Sequence, residues 1–530
     1  MTAPALTFRG TSYPVVLPKL RDPRLHVAAV IITIHVLGQV SLHFAVSVPQ
    51  ILAAILTCAV IELVLTFRQT RQIVWPASAM LTGSGVALIL RYVGTMPDDH
   101  WTFDGWYVFA AIAGLSLLTK YVIRYRGSHI FNPSNVGLVV AFLLLGSTRI
   151  EPLDFWWAPL NPPMVIAYAV IVGGGMLITR RLHLLALAAT YWVLLAAGIG
   201  LLAASGHCMT ARWAFAPVCG VDFWRVIITS PEVLIFLFFM ITDPKTAPAG
   251  RVARIAFGVI VAVATTLLMA PQTNEFGAKV GLLAGLVVVC LVRPLLEWLL
   301  PVPRSADDEL RPFLRRLVRG RGGHGWRLGG FTRAGAMAVA VPLVGMSIIA
   351  AGTPARGIVL PDAAELLSQV PHQINAATLP SFTVGQDVAD WDHQIAGPEM
   401  QGIVLTLAEN LELESQALLR RDAAILTAVD HGDRLAQMQG RLKEAEASGI
   451  TTIARYRFNT MHVSLLVPFG VQTGLSLGFT SSGTVTALTY DANGTLQSQE
   501  SSPFTLTFAM RRATGARWLL VGVLPSPPNS

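Results

Sequence analysis

Apolar runs of membrane-spanning length recur through the first 350 residues, and they constrain the fold more than any other feature. Eleven are readable: residues 25–46, 48–67, 74–94, 105–123, 135–148, 163–179, 183–204, 226–242, 252–270, 276–299 and 334–352. A hydrocarbon core of ~30 Å needs about 20 apolar residues in a helix. The fifth run is short, and polar residues interrupt the third. Charge usage agrees: 13% of the 530 residues are charged, against about 25% in soluble domains. The first run is too long for a signal-peptide core and has no convincing cleavage site, so it reads as a retained anchor.

The net charge of +8 points to topology rather than nucleic acid. Cations gather in alternate loops, as the positive-inside rule describes. The N-terminal segment has Arg9, Lys19, Arg21 and Arg24. Later loops have Arg68 and Arg71, then Arg124 and Arg126, then Arg180 and Arg181, then Lys245, Arg251 and Arg254. The loop "RSADDELRPFLRRLVRGRGGHGWRLGGFTR" holds eight Arg against three acids. These loops read as cytoplasmic, which puts the N-terminus inside and everything after about 355 outside. The aromatic-interleaved basic surface of a nucleic-acid binder is missing, so the lipid bilayer is the expected partner and nucleic acid is not.

The expected fold class is an α-helical polytopic membrane protein carrying a C-terminal α+β domain. Residues 1–302 form a ten-span core, 303–333 a basic linker, 334–352 an eleventh span and 355–530 an extracytoplasmic domain. "RPFLRRLVRGRGG" in the linker suits anionic headgroups. In the outer domain, residues 401–447 have helical spacing broken at "DHGD". Alternating runs follow, with "SSG" and "DANG" read as hairpin turns. From about 400 this order resembles the NTF2-like cone. "NVGLVVAFLLL" and "KVGLLAGLVVV" lie five spans apart, as in an inverted repeat.

Four cysteines are too few for a disulfide scaffold. Cys208 and Cys219 share an outer loop where an oxidising exterior permits a bond, and the residues leave that question open. Cys58 and Cys290 lie in spans. No CxxC or four-cysteine cluster is present, so the chain brings no iron–sulfur ligand set or metal site of its own.

Three polar motifs converge on one predicted membrane face. "GSHIFNPSN" opens span five: Asn132 is an expected N-cap and Pro133 the first helical residue. Helix initiation leaves His129, Ser134 and Asn135 to be explained. "FFMITDPKTAPAG" closes span eight, where Thr242 and Asp243 precede a helix-breaking Pro244. "MLTGSGVALIL" opens span three with Thr82, Gly83, Ser84 and Gly85. Small and hydroxyl residues also serve close helix packing. Grouped together, amides, a carboxylate and exposed N–H groups suit the edge of a planar heterocycle such as isoalloxazine, and equally a hydrated cation near Asp243 and the broken-helix carbonyls. In span one, His35, Gln39 and His43 recur at four-residue spacing, which favours packing against another polar helix. Glu62, Lys120 and Arg293 sit near the cytoplasmic interface within snorkelling reach. Glu232 and Lys279 lie toward the other face, where an ion route is one reading.

"GSHIFNPSNVGL", "FFMITDPKTAP" and "NEFGAKVGLLAGLVVVCLVRPLLEW" resemble the corresponding segments of the NqrB/RnfD family, within it the UnbU-type membrane proteins. The resemblance covers about 60–300. It implies a flavin-bearing subunit of a membrane redox complex, with redox proteins or other subunits as partners. His129 and Asn132 lie where the family presents asparagines to the flavin, and Thr242 and Asp243 match its TDP element. The grouped motifs add Asn135, Thr82 and Ser84 to the expected cofactor site. Two departures matter. His129 stands where the family has asparagine, and imidazole titrates near neutrality. The S-G-A-T motif that takes FMN covalently is missing, so the implied flavin (FMN or riboflavin) is noncovalent. The competing readings are a transporter or export component for an ion or natural product, and a non-catalytic membrane scaffold.

Overall fold

A computed structural model describes residues 5–8, 11–95, 99–153, 162–211, 214, 217–301, 303, 305, 308–319, 330–352, 363–370, 374, 379–466, 476–513 and 517–525. Much of the predicted linker and the expected domain start near 355 lie outside the described residues. The chain divides into two compact units. One comprises Met1–Met209 with Val218–Ile358, and the other Thr210–Pro217 with Val359–Ser530.

Each of the eleven apolar runs carries a helix in the first unit. They are α1 (Pro23–Val40), α2 (Val48–Thr70), α3 (Ala77–Ile89), α4 (Trp106–Val122), α5 (Pro133–Leu145), α6 (Pro162–Arg181) and α7 (Leu185–Ala204), followed by α8 (Gly220–Thr229) and α9 (Pro231–Ile235), then α10 (Arg251–Met269), α11 (Glu275–Leu299), α12 (Leu310–Arg319) and α13 (Gly330–Ala351). α8 and α9 divide the eighth run, and α12 belongs to the linker. Seven helical segments among the described residues are long and apolar enough to cross a membrane. Polar residues followed by proline start several helices: Asp22-Pro23, Asn132-Pro133 and Ser230-Pro231, each side chain accepting an N–H of the first turn. Proline at the first helical position loses nothing there, because its N–H would be an orphan.

Three expectations need correction. Span one does not reach residue 46: α1 stops at Val40, and His43 turns away at φ +53°. His43 therefore leaves the helical face of His35 and Gln39. Span eight is a broken helix. α8 ends at Thr229, Ser230 caps α9, and Phe236–Met240 is π-helical. Span three is only 13 helical residues, ~20 Å at 1.5 Å per residue. The strand Leu90–Tyr92 continues it and adds ~10 Å of chain length. That strand pairs with Ile150–Pro152, placing Arg91 opposite Glu151. Their side chains form a buried ion pair at 3.5 Å.

The helix pairings among α1–α5 recur among α6–α11. α2 packs on α4 as α7 packs on α10, α4 on α5 as α10 on α11, and α1 on α3 as α6 on α9. Close approach relies on glycine. A Cβ at Gly83 would lie 2.4 Å from the Ala54 carbonyl oxygen, and one at Gly137 would lie 1.7 Å from Ser116 Oγ. Cys208 and Cys219 are disulfide-bonded and are partners in a short two-stranded ladder. The bond closes the question that spacing left open.

The second unit is α+β. Its helices are α14 (Ala363–Ser368), α15 (Gln386–Trp391), α16 (Met400–Arg420), α17 (Ala423–Val429) and α18 (Gly432–Ser448). Its sheet runs in order β1 (Phe382–Val384), β2 (Thr451–Leu466), β3 (Ser476–Tyr490), β4 (Leu496–Arg512) and β5 (Trp518–Pro525). β1 is parallel to β2, and the other pairs are antiparallel. Leu407 and Leu411 of α16 pack on Val463, Phe479 and Phe508 of the sheet. "DANG" is a turn, with Gly494 at φ +77°. "SSG" is not: Ser481, Ser482 and Gly483 lie inside β3, facing an irregularity in β2 between Phe458 and Thr460. A Cβ at Gly483 would lie 2.1 Å from the Arg457 carbonyl oxygen, so this glycine serves backbone approach at a bulge rather than chain reversal.

Candidate functional site

The residues before α5 fold into a small hairpin. Arg124 pairs with His129 and Tyr125 with Ser128. Arg126 (φ +47°) and Gly127 (φ +81°) fill the two turn positions, the left-handed pair that a two-residue hairpin requires. The hairpin delivers His129 to a buried position, 7% exposed. Asn132 then caps α5, its Oδ1 accepting from the Asn135 N–H at 3.3 Å and the Ser134 hydroxyl at 2.8 Å.

The second motif arrives from the π-helical segment. Asp243 Oδ1 accepts the Lys245 N–H at 3.0 Å, and its carbonyl accepts the Ala247 N–H at 2.9 Å. Its Oδ2 lies 3.5 Å from His129 Nε2, at the outer limit of a hydrogen bond. The Lys245 carbonyl accepts from Arg293 at 2.8 Å and from Ser128 Oγ at 3.4 Å. Thus the "HIFNPSN" and "TDP" segments meet at the His129–Asp243 contact, braced by the backbone of Lys245.

The remaining expected residues divide. Asn132 Nδ2 donates to the Met240 carbonyl at 3.5 Å, and Asn135 Nδ2 to the Leu283 carbonyl at 3.0 Å. Both amides tie α5 to neighbouring helices. Asn135, 1% exposed, leaves its Oδ1 without a hydrogen-bond partner. Thr242 bonds the Phe238 carbonyl and Thr82 the Ser78 carbonyl, each one turn back in its own segment. Ser84 Oγ lies 3.3 Å from His35 Nε2. The third motif therefore packs α3 on α1 and α2 instead of contributing hydroxyls beside His129. Gly85 faces Ser134, whose Oγ would be 3.3 Å from a Cβ there.

A cavity of about 270 Å³ opens beside His129, lined also by Gln69, Lys120, Tyr121, Arg124, Gly127, Ser128 and Lys245. In the sequence Arg124 and Lys245 register only as loop cations, and Lys120 as a snorkelling residue. Only the fold brings them to one wall. Lys120 bonds Glu62 at 2.9 Å, so its ammonium is held in place. A separate charged group lies between α9 and α11, where Lys279 Nζ is 2.8 Å from Glu275 and 3.4 Å from Glu232.

The second unit has its own buried polar cluster. Arg434 clasps Glu414 through two nitrogens, Nε at 2.6 Å. Asp430 beside them is 1% exposed. Burial, with the Glu414 carboxylate adding to it, pushes Asp430 well above the ordinary carboxylate range, although Arg434 pulls the other way.

No protein-family model matches this chain, and no curated protein matches it.

Proposed function

We propose that this chain is a membrane electron-transfer subunit of the NqrB/RnfD kind, holding flavin noncovalently near the cytoplasmic face. The carrying observation is the contact of Asp243 with His129, a residue that lines the cavity, which unites two motifs 114 residues apart in sequence. Buried ionisable groups at membrane depth mark function by default. In this reading ten spans form the core, an eleventh delivers the second unit to the outside, and the N-terminus is cytoplasmic in the plasma membrane. The repeated helix pairings support two inverted five-span halves. The helices of the second unit laid on its sheet support an NTF2-like cone.

The residues at the cavity fit a flavin better than the two asparagines do. Ser128, His129 and Gln69 offer donors and acceptors for the pyrimidine edge, and Tyr121 offers a ring face. Asn132 and Asn135 have committed their N–H₂ groups to carbonyls of other segments, so they hold the wall rather than the ligand. A bound flavin supplies transfer of one or two electrons. The protein's part is to orient the ring at His129, and to set that imidazole's tautomer through Asp243. Electrons come from a partner protein or another subunit.

The test is the visible spectrum of detergent-purified protein, followed by acid precipitation and fluorescence of the supernatant. Flavin bands with released fluorescence are expected. A colourless protein that stays so after incubation with FMN and riboflavin sinks the proposal.

A second reading, an ion transporter, draws on Lys279 between Glu232 and Glu275. Cation uptake into vesicles that persists in flavin-free protein would favour it.

A further inference from the structure

The cavity beside His129 has a charge pattern that a ring-binding site does not need. Three of its eight lining residues are cationic, Lys120, Arg124 and Lys245, and none is acidic. Lys120 is matched by Glu62. Arg124 gives one N–H to the Gly127 carbonyl at 2.6 Å, and neither it nor Lys245 pairs with a carboxylate side chain among the described residues. Asp243 reaches this wall only through His129 and the backbone N–H of Lys245.

We infer that the Arg124–Lys245 side of this cavity is a phosphate-group site, built for the terminal phosphate of a monoester whose ring lies toward His129 and Tyr121. The ligand rests on the flavin reading above: the site selects FMN over riboflavin. A monoester carries about −1.5 to −2 charge at pH 7, which the two unmatched cations balance. Arg124 presents a planar fork and Lys245 a point charge, the two modes by which proteins grip phosphate. The fork is aimed locally, because the hairpin turn at Arg126-Gly127 fixes the backbone on either side of Arg124. A phosphate of a lipid headgroup shares this chemistry, since the cavity lies at the ends of apolar helices. In this scheme the phosphate is held by ordinary charge-assisted hydrogen bonds, and no covalent step is involved.

The experiment is titration of the detergent-purified full chain with FMN and with riboflavin, read by flavin fluorescence quenching. Wild type is expected to bind FMN roughly tenfold or more tightly than riboflavin. Millimolar inorganic phosphate should compete with FMN and leave riboflavin binding unmoved. The ratio should fall toward one in Arg124→Gln/Lys245→Gln, survive in Lys245→Arg, and survive in Arg68→Gln, which lies outside the cavity. Equal affinities for the two flavins, with no phosphate competition, overturn the inference and leave the flavin reading standing; this comparison needs no variant to fold. Should neither flavin bind, the flavin reading falls, and native mass spectrometry of the purified chain decides the site. Phosphatidylglycerol kept by wild type and lost from the double variant would keep the Arg124–Lys245 pair as a phosphate-group site but overturn the monoester, a lipid phosphodiester being the occupant. Wild type that holds neither phosphatidylglycerol nor inorganic phosphate overturns it.

Discussion

His129 Nε2 faces the Asp243 carboxylate at 3.5 Å, bringing the start of α5 against the end of the π-helical segment. If this contact orients a flavin, Asp243→Ala should lower flavin retained per protein by roughly tenfold, the scale of one charge-assisted bond. Absorbance in the flavin bands relative to protein, on material that elutes as a single size-exclusion peak, measures it. Unchanged retention in both Asp243→Ala and His129→Leu would remove this pair from the site.

Asn132 is expected to behave differently. Its side chain caps α5 and reaches the Met240 carbonyl, so Asn132→Leu should cost about 1–2 kcal/mol of stability. Thermal denaturation in detergent should show the loss. Flavin content of the protein that remains folded should be near wild type.

Asp430 predicts a pH effect in the second unit. Its folded-state value is raised, by burial first and then by Glu414, so folding favours the protonated form. The stabilisation is complete below the unfolded value near 3.9. It is lost as pH rises toward the folded value, at about 1.4 kcal/mol per pH unit in that window. Asp430→Asn should flatten the decline of melting temperature with rising pH. A parallel decline in wild type and variant would show that another group is responsible.

The Cys208–Cys219 bond closes a loop of sequence separation 11, worth about 3 kcal/mol by chain entropy. Cys208→Ser should lower stability accordingly. Alkylation under denaturing conditions should label two of the four cysteines before reduction and four after. Four labelled without reductant, in protein taken from its native membrane, would place this loop on the reducing side and invert the proposed topology.

Gly137 tests the packing of α4 on α5. Any side chain there meets Ser116, so Gly137→Ala should destabilise by about 1–3 kcal/mol. Ser116→Gly should recover part of that in the double variant. Full additivity would show that the two positions do not touch.

The helices of the first unit were legible because apolar length and polar-proline starts are local signals, as Asn132-Pro133 shows. Breaks were harder to read. Residues 226–242 read as one span although Thr229-Ser230-Pro231-Glu232 stands inside them, and the helix breaks there and turns π-helical at Phe236–Met240. "SSG" carried turn chemistry but was spent on a bulge, because only the Arg457 backbone across the sheet shows why Gly483 is small. At the site, His129 and Asp243 were both found as motif members. Arg124 and Lys245 were read only as topology markers, since a loop cation has no sequence mark of the wall it will line. Asn132 and Asn135 were assigned to a ligand because an amide in a span needs a partner. The partners turned out to be the carbonyls of Met240 and Leu283.

The Arg91–Glu151 pair bears on how the chain is made. The two residues are synthesised with α4 and α5 between them. Until Glu151 emerges, the strand Leu90–Tyr92 has no ladder for its backbone. In the proposed ten-span topology, span three is therefore a poor substrate for one-at-a-time release into lipid. The first five spans should leave the insertion machinery as a group, and a ribosome stalled before residue 151 should leave span three open to extraction.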